Sequence, residues 1–332
     1  MRGCFTRILI LLVLALAAIG AGYWYLGPYP ERSPETFVEI EHGMSSRQIA
    51  DALAEHGVVR SRWAFLAVRV LHPSAPLQAG EYRFGPEQTP WEVFDKIRRG
   101  DIFFQYLTVP EGSNMFDIAN LLSTELDAIH PDDFLRAASD PQMIRDLDPQ
   151  APTLEGYLFP STYQVTHRIT AKQLCRMMTD EFRKQWAAFA NAGQSVEVHK
   201  IVTLASLVEK ESALPGERPL VSSVFMNRLR LGMPLQCDPT TVYAAVREKR
   251  YSGVIHRSDL ASKDLYNTYT HIGLPPGPIS NPGIGALKAA LNPADTAFLY
   301  FVAKPDGSGS HHFSATLDEH ERAVLAYRKG TR

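Results

Sequence analysis

The chain opens on a run with no polar alternation. Residues 8–26 read ILILLVLALAAIGAGYWYL, 19 positions without a charge, close to the roughly 20 needed to cross about 30 Å of hydrocarbon. Arg2 and Arg7 precede the run, and Tyr23, Trp24 and Tyr25 close it, as aromatic residues do at a membrane interface. Positive charge ahead of the span predicts residues 1–7 in the cytoplasm and the chain beyond residue 26 outside it. A cleaved secretory signal has a shorter apolar core ending in a small-x-small site, so an uncleaved anchor is the better reading. Pro28, Pro30 and Pro34 make 27–34 a stiff linker.

Beyond the linker the apolar period alternates between two and about 3.6. Phe37–Leu53 and Tyr106–Leu122 repeat one pattern: a short alternating strand, a Gly turn, a Ser or Asn at a helix start, and an amphipathic helix. In register, Gly43 matches Gly112, Ile49 matches Ile118, Ala50 matches Ala119 and Leu53 matches Leu122. The unit resembles half of a LysM module, a small fold that often binds N-acetylglucosamine polymers; strand–Gly–helix is also a common unit in its own right. Between the copies, 61–71 reads as a helix, 79–84 as a strand, and 91–99 as a helix capped by Thr89 with Pro90 in its first turn. A small α+β domain over 35–105 follows, then a mostly helical connecting region over 106–152, a second LysM-like stretch.

From Thr153 the texture changes. LEGYLFPSTYQV (154–165) is punctuated by Gly and Pro, and helices are predicted over 171–190, 198–210 and 222–231. A loop-rich stretch runs to Pro282, then a short helix over 285–291, a strand over 298–303, its hairpin partner over 311–314, and a terminal helix over 318–328. PDGSG at 305–309 is the hairpin turn. The fold class is therefore α+β, with residues 153–332 as one mixed domain.

A formal net charge of −2 with 21% charged residues excludes the basic face of a nucleic-acid binder. The three cysteines, Cys4, Cys175 and Cys237, and the histidines have no metal-site spacing. No metal and no cofactor is expected. Nothing local argues for a Cys175–Cys237 disulfide.

The chemistry-bearing segment is IVTLASLVEKESALPGE, 201–217. Ile201, Leu204, Ala205 and Val208 form an apolar stripe, and continuing it by three and four residues reaches Glu211 and Ser212. A carboxylate at the end of an apolar face is costly to bury unless it is used or paired. Burial there would raise its pKa toward what a general acid needs. The alternative is a structural bridge from Glu211 to Arg218. Glu209, about 160° around the helix, is expected on the solvent side. In LGMPLQCDPTTVYA (231–244), Gln236, Asp238 and Thr240 alternate as they would along an extended groove wall. The same letters also suit a helix start with Asp238 as cap and Pro239 in the first turn. The loop YNTYTHIGLPPGPISNPG (266–283) supplies Tyr266 and Asn267, side chains suited to sugar hydroxyl and acetamido groups, and Glu155 is a second candidate carboxylate.

AGEYRF (79–84), EGYLFPSTY (155–163), ASLVEKES (205–212), SVFMNRLRLGMPLQCDPT (223–240), YNTY (266–269), GLPPGPISNPG (273–283) and FLYFVA (298–303) together resemble the endolytic murein transglycosylase (YceG-like) family, in one order along roughly nine-tenths of the chain. The resemblance implies a LysM-like domain joined to a catalytic domain and anchored in the inner membrane, with the catalytic part periplasmic. It implies cleavage between N-acetylmuramic acid and N-acetylglucosamine in nascent peptidoglycan strands, non-hydrolytically, leaving 1,6-anhydro ends, and partnership with peptidoglycan synthases (penicillin-binding proteins). It puts the catalytic role on Glu211, the second Glu of the EKE motif. Gln236, Tyr266 and Asn267 are expected to orient the muramyl acetamide, and Asp238, Glu155 and Ser212 to support binding. Cys237 departs from the family pattern, where Thr is more usual. A water-using muramidase and a wall-binding scaffold remain the competing readings.

Overall fold

A computed structural model of the chain describes residues 2–27, 35–86, 88–126, 128–189 and 197–330. Among these residues, thirteen α-helices accompany six short strands paired in three two-stranded sheets. That is the expected α+β class. The contacts divide the chain into two compact units, one of residues 1–105 with 164–168 and one of 106–163 with 169–332.

The first unit begins with α1 (Arg2–Leu26). Among the described residues no helix is long and apolar enough to cross a membrane. The linker expected at 27–34 lies, apart from Gly27, outside the described residues. β1 (Thr36–Ile40) pairs antiparallel with β2 (Gly80–Phe84), Val38 opposite Tyr82. Between them come α2 (Ser46–Glu55) and α3 (Arg62–Leu71), and α4 (Pro90–Arg99) follows. Reciprocal side-chain to backbone caps start two of these helices: Ser45 with Gln48, and Thr89 with Glu92, with Pro90 in the first turn as the sequence predicts. Their apolar faces close on one core of Val38, Ile40, Ile49, Leu53, Phe65, Tyr82, Phe84, Val93, Phe94 and Ile97, all buried.

The second unit begins within β3 (Gln105–Thr108), which leads through a Gly turn to α5 (Met115–Glu125), followed by α6 (Pro131–Ala138). β4 (Thr162–Val165) is the partner of β3. The two repeats are alike in detail: Gly43 and Gly112 both take positive φ, at 87° and 78°, which a side chain would strain. Ile49, Ala50 and Leu53 are buried in the first copy, as are Ile118, Ala119 and Leu122 in the second.

Then come α7 (Ala171–Phe189), α8 (Val198–Glu211), α9 (Arg218–Arg230), α10 (Asp238–Arg247), the single-turn α11 (Arg257–Leu260) and α12 (Ile284–Leu291). The hairpin of β5 (Tyr300–Ala303) and β6 (His311–Ser314) and the final helix α13 (Leu317–Gly330) complete the unit. α8 is the central post. Seven consecutive residues, Val202 to Val208, are buried, because α9, α10 and α12 all pack against it. Over that stretch the helix has no solvent face, and the Glu209 side chain just beyond it is also held inside, paired with Arg218, which overturns the expectation for Glu209. α9 starts four residues before the predicted 222, with Pro219 in its first turn. The loop-rich stretch after 231 holds two helices, and of the two readings of Gln236–Thr240 the helix start is the one observed: α10 begins at Asp238 with Pro239 in its first turn.

Candidate active site

Glu211 is the last residue of α8, and Ser212 caps the helix with its N–H on the Val208 carbonyl. The carboxyl faces a cavity of about 290 Å3 lined by Glu211, Phe225, Arg228, Leu235, Gln236, Asp238, Tyr269, Phe301 and His320. Desolvation raises the Glu211 pKa, and the nearby Asp238 charge adds to the rise. A hydrogen bond from the Cys237 thiol and the proximity of His311 work the other way. A part-buried carboxyl facing a cavity, with its acid form favoured, is the state a proton donor needs.

Arg228 of α9 builds part of the cavity wall. Its Nε donates to the Leu299 carbonyl at 2.7 Å and its Nη1 to Leu235 O at 2.9 Å, with Gln236 Oε1 at 3.4 Å. The guanidinium also lies 5.2 Å from the Tyr300 ring centroid. This grip holds Gln236 at φ 51°, a left-handed conformation that a residue with a side chain adopts only when its surroundings enforce it. Gln236 N–H donates to Thr268 O at 3.2 Å. Asp238 opens α10, with Cys237, not Asp238, as the cap; its Oδ1 accepts the Tyr269 hydroxyl at 2.5 Å.

Of the residues expected in the groove, Glu211, Gln236 and Asp238 meet at one cavity. The others do not line it. Asn267 is fully buried, and its Nδ2 donates to the carbonyls of Asp259, Leu260 and Ser262, closing the end of α11. Tyr266 packs beside Tyr243 and under the Arg247 guanidinium, 4.6 Å from the ring centroid. Ser212 is buried with its hydroxyl on the Leu214 carbonyl. Thr240 turns inward, its Oγ1 2.9 Å from Thr268 Oγ1. The amide and ring expected to greet sugar are used to fold the loop that surrounds it.

Glu155 is 1% exposed and sits at the N-terminus of α5. It accepts Met115 N–H at 3.0 and 3.1 Å, the Tyr243 hydroxyl at 3.0 Å and Asn281 Nδ2 at 2.9 Å. Burial pushes its pKa up to about 8 against the pull of those donors. Asn281 is the hub of this network: its Oδ1 accepts the N–H groups of Gly156 and Leu158, and its Nδ2 also reaches Ser113 O. The EGYLFP and SNPG motifs are thus stitched to each other. Glu209 is likewise interior. It accepts Arg218 Nη2 and Gly283 N–H, both at 2.9 Å, so Glu209, and not Glu211, is the bridge to Arg218.

Arg228, Tyr269 and His320 line the cavity as well, and residue spacing does not single them out. Tyr269 was within reach, three residues past Tyr266 in the same YNTY motif. Arg228 and His320 carry no local signal, since they lie on α9 and α13 and only tertiary packing brings them to the cavity that Glu211 lines. A larger cavity of about 440 Å3 lies between that hairpin and α13. The carboxylate lining it, Glu319, is occupied by the N–H groups of Ala315 and Thr316, so it offers no free acid. Among the described residues, no group of His, Cys, Asp and Glu could hold a metal ion. Cys175 and Cys237 are both free and buried.

The model of the YceG-like family matches residues 38–326, and the chain belongs to that family. An endolytic murein transglycosylase of Bacillus subtilis is 32% identical, over 93% of this chain and 91% of its own. An enzyme of the same name from Streptococcus pneumoniae is 28% identical over 96% of this chain, which spans 64% of that longer protein. A crystal structure of a yceG-like protein from Listeria monocytogenes covers 87% of this chain and 98% of its own at 31% identity, with a TM-score of 0.59.

Proposed function

We propose that this chain is an endolytic peptidoglycan lytic transglycosylase, a lyase that cuts the bond between N-acetylmuramic acid and N-acetylglucosamine within nascent strands. The observation that carries the reading is Glu211, part-buried, raised in pKa and facing a polar cavity; membership of the YceG-like family and the names of the relatives support it.

Protonated Glu211 donates to the leaving glycosidic oxygen. The substrate's own acetamido group steadies the oxocarbenium-like centre, in place of the second carboxylate that most glycosidases use. Ionised Glu211 then takes the proton from the C6 hydroxyl as that oxygen closes on C1, and the product is a 1,6-anhydro end. Gln236, fixed by Arg228, offers its amide to the acetamido group. Asp238 shares the cavity with Glu211, which is the feature that favours a water-using muramidase as the second reading. Product mass separates the two, because an anhydro end is one water lighter than a reducing end.

A membrane anchor is supported by the apolar surface of α1, where Ile10, Leu11, Leu12, Val13, Leu14, Leu16 and Ile19 are all exposed, and by Arg2 and Arg7 ahead of it. The enzyme then sits on the inner membrane with residues 35–332 in the periplasm, near the peptidoglycan synthases that make its substrate. The strand–turn–helix repeats supply LysM-like glycan contacts, in a domain over 35–105 and a connecting region over 106–152, ahead of a catalytic domain over 153–332.

The test is digestion of purified glycan strands with wild-type and Glu211→Gln protein. Wild type is expected to give anhydro-ended fragments from internal cuts. Glu211→Gln is expected to lose at least the 10²–10⁴-fold that positioned proton transfer contributes while melting like wild type. A variant as active as wild type sinks the proposal, and full function of that variant in cells points to a scaffold.

A further inference from the structure

We propose that His320 is a substrate-binding residue of the cavity that Glu211 lines, a neutral imidazole whose Nε2 offers its proton to an oxygen of the glycan. The proposal rests on the reading of that cavity as the place where glycan is cut, and adds a donor to its wall.

His320 sits in the first turn of α13, and that turn is pinned. Glu319 accepts the N–H groups of Ala315 and Thr316 at 3.1 and 3.2 Å, and Thr316 Oγ1 accepts Glu319 N–H at 3.3 Å. The His320 N–H donates to the Thr316 carbonyl at 3.2 Å. The ring stacks on Tyr300 of β5, with centroids 5.1 Å apart and planes 19° from parallel. The same Tyr300 ring receives the Arg228 guanidinium at 5.2 Å. Stacking uses the face of an imidazole and leaves its edge, where both nitrogens lie, for other partners. The side chain lines the cavity together with Glu211, Gln236 and Asp238.

The two ring nitrogens differ. Nδ1 is sealed from solvent and has no hydrogen-bond partner among the described residues. Nε2 is not sealed and makes no hydrogen bond to the described residues either. Of the two, Nε2 is therefore the one a ligand in the cavity can meet. The sealed Nδ1 also sets the charge. An imidazolium carries a proton on each nitrogen, and the one on Nδ1 would have no acceptor. Burial first, and the Arg228 charge after it, push the His320 pKa below its ordinary value; Glu321 pulls the other way and His312 adds to the fall. A neutral ring has a single proton. On Nδ1 it would be shut away unsatisfied, which costs the full desolvation of a donor, so it belongs on Nε2. Such a group hydrogen-bonds a sugar oxygen without bringing a positive charge to the cavity. A positive charge there would favour the ionised form of Glu211 and so remove the proton donor.

The experiment measures kcat/KM on purified glycan strands for full-length wild type, His320→Phe, His320→Gln, His320→Asn and Glu211→Gln, each checked by thermal melting. His320→Phe keeps a ring against Tyr300 and loses the donor. It is expected to melt like wild type and to lose roughly three- to tenfold in kcat/KM, the scale of one neutral hydrogen bond. The amide nitrogen of Gln reaches about as far from the backbone as Nε2, and that of Asn only about as far as Nδ1. His320→Gln is therefore expected to return to within about twofold of wild type, and His320→Asn to resemble His320→Phe. Recovery by Gln and not by Asn is a signature that loss of packing alone does not produce, and this pair decides the matter even if His320→Phe is less stable. If Glu211→Gln is inactive while His320→Phe and His320→Asn cut as wild type does, the donor role is wrong and the enzyme assignment stands. Equal losses in His320→Gln and His320→Asn reduce the ring to packing and overturn the proposal as well. If Glu211→Gln is as active as wild type, the enzyme assignment fails and the donor role with it.

Discussion

Two desolvated carboxyl groups of the second unit, one sealed and one part-buried, behave differently. Both Glu211 and Glu155 are raised in pKa mainly by desolvation. Around Glu155 the protein has filled the coordination sphere: a helix N-terminus, a tyrosine hydroxyl and an asparagine amide converge on it. Around Glu211 the side-chain donor is a weak thiol, and the carboxyl faces a cavity. Burial alone does not make a general acid. What differs is whether the remaining hydrogen-bonding capacity is used by the fold or left for a ligand.

Glu211→Gln should abolish cleavage and leave melting nearly unchanged, whereas Glu155→Ala should cost at least the roughly 1–3 kcal/mol of leaving a buried donor without its acceptor, and urea unfolding measures it. A Glu155→Ala protein as stable as wild type would show that the network does not hold α5 in place.

A second test uses pH. The folded pKa of Glu155 is about 8 against an ordinary value of 4.5, so between these values the folded state binds more protons than the unfolded state. Stability should therefore be greatest below about 4.5, fall as pH rises and level off above about 8. Glu155→Gln should flatten that fall. Activity depends on pH in the same direction for another reason: a proton donor works only below its pKa, so cleavage should decline as pH rises through the raised pKa of Glu211. In Glu155→Gln the decline in activity should remain while the decline in stability shrinks.

The smallest effect concerns the helix that Glu155 supports. Asn114 Oδ1 caps α5 by accepting Phe116 and Asp117 N–H, both at 2.9 Å. Asn114→Ala should cost about 1 kcal/mol, less than Glu155→Ala, because Glu155 still receives Met115 N–H. A larger loss than for Glu155→Ala would reverse the roles given to the two residues.

Local rules recovered much of the fold. The Thr89–Pro90 start of α4, the Gly43 and Gly112 turns and the PDGSG hairpin each rest on one or two residues whose backbone preferences act within a single turn. Glu211 was legible for the same reason, since the apolar stripe of one helix leads to it. The expected groove at Gln236–Thr240 was half legible: Gln236 and Asp238 reach the cavity, but Pro239 starts a helix that turns Thr240 inward. Tyr266 and Asn267 went astray because an amide or a ring has the same letter whether it greets a ligand or ties down its own loop. Glu209 went astray because a helical wheel shows where a side chain points but not whether α12 and Arg218 wait there.

By itself the sequence determined the period of each element, the turns that end it, and the one acid placed where an apolar stripe stops, because these follow from backbone sterics and the separation of apolar from polar groups along a few residues. Only the tertiary structure decided which acids are sealed and which stay open, and that Arg228, Tyr269 and His320 meet Glu211 from distant parts of the chain. Desolvation and hydrogen-bond partnership are properties of the surroundings, and those surroundings exist only once the helices have packed around α8.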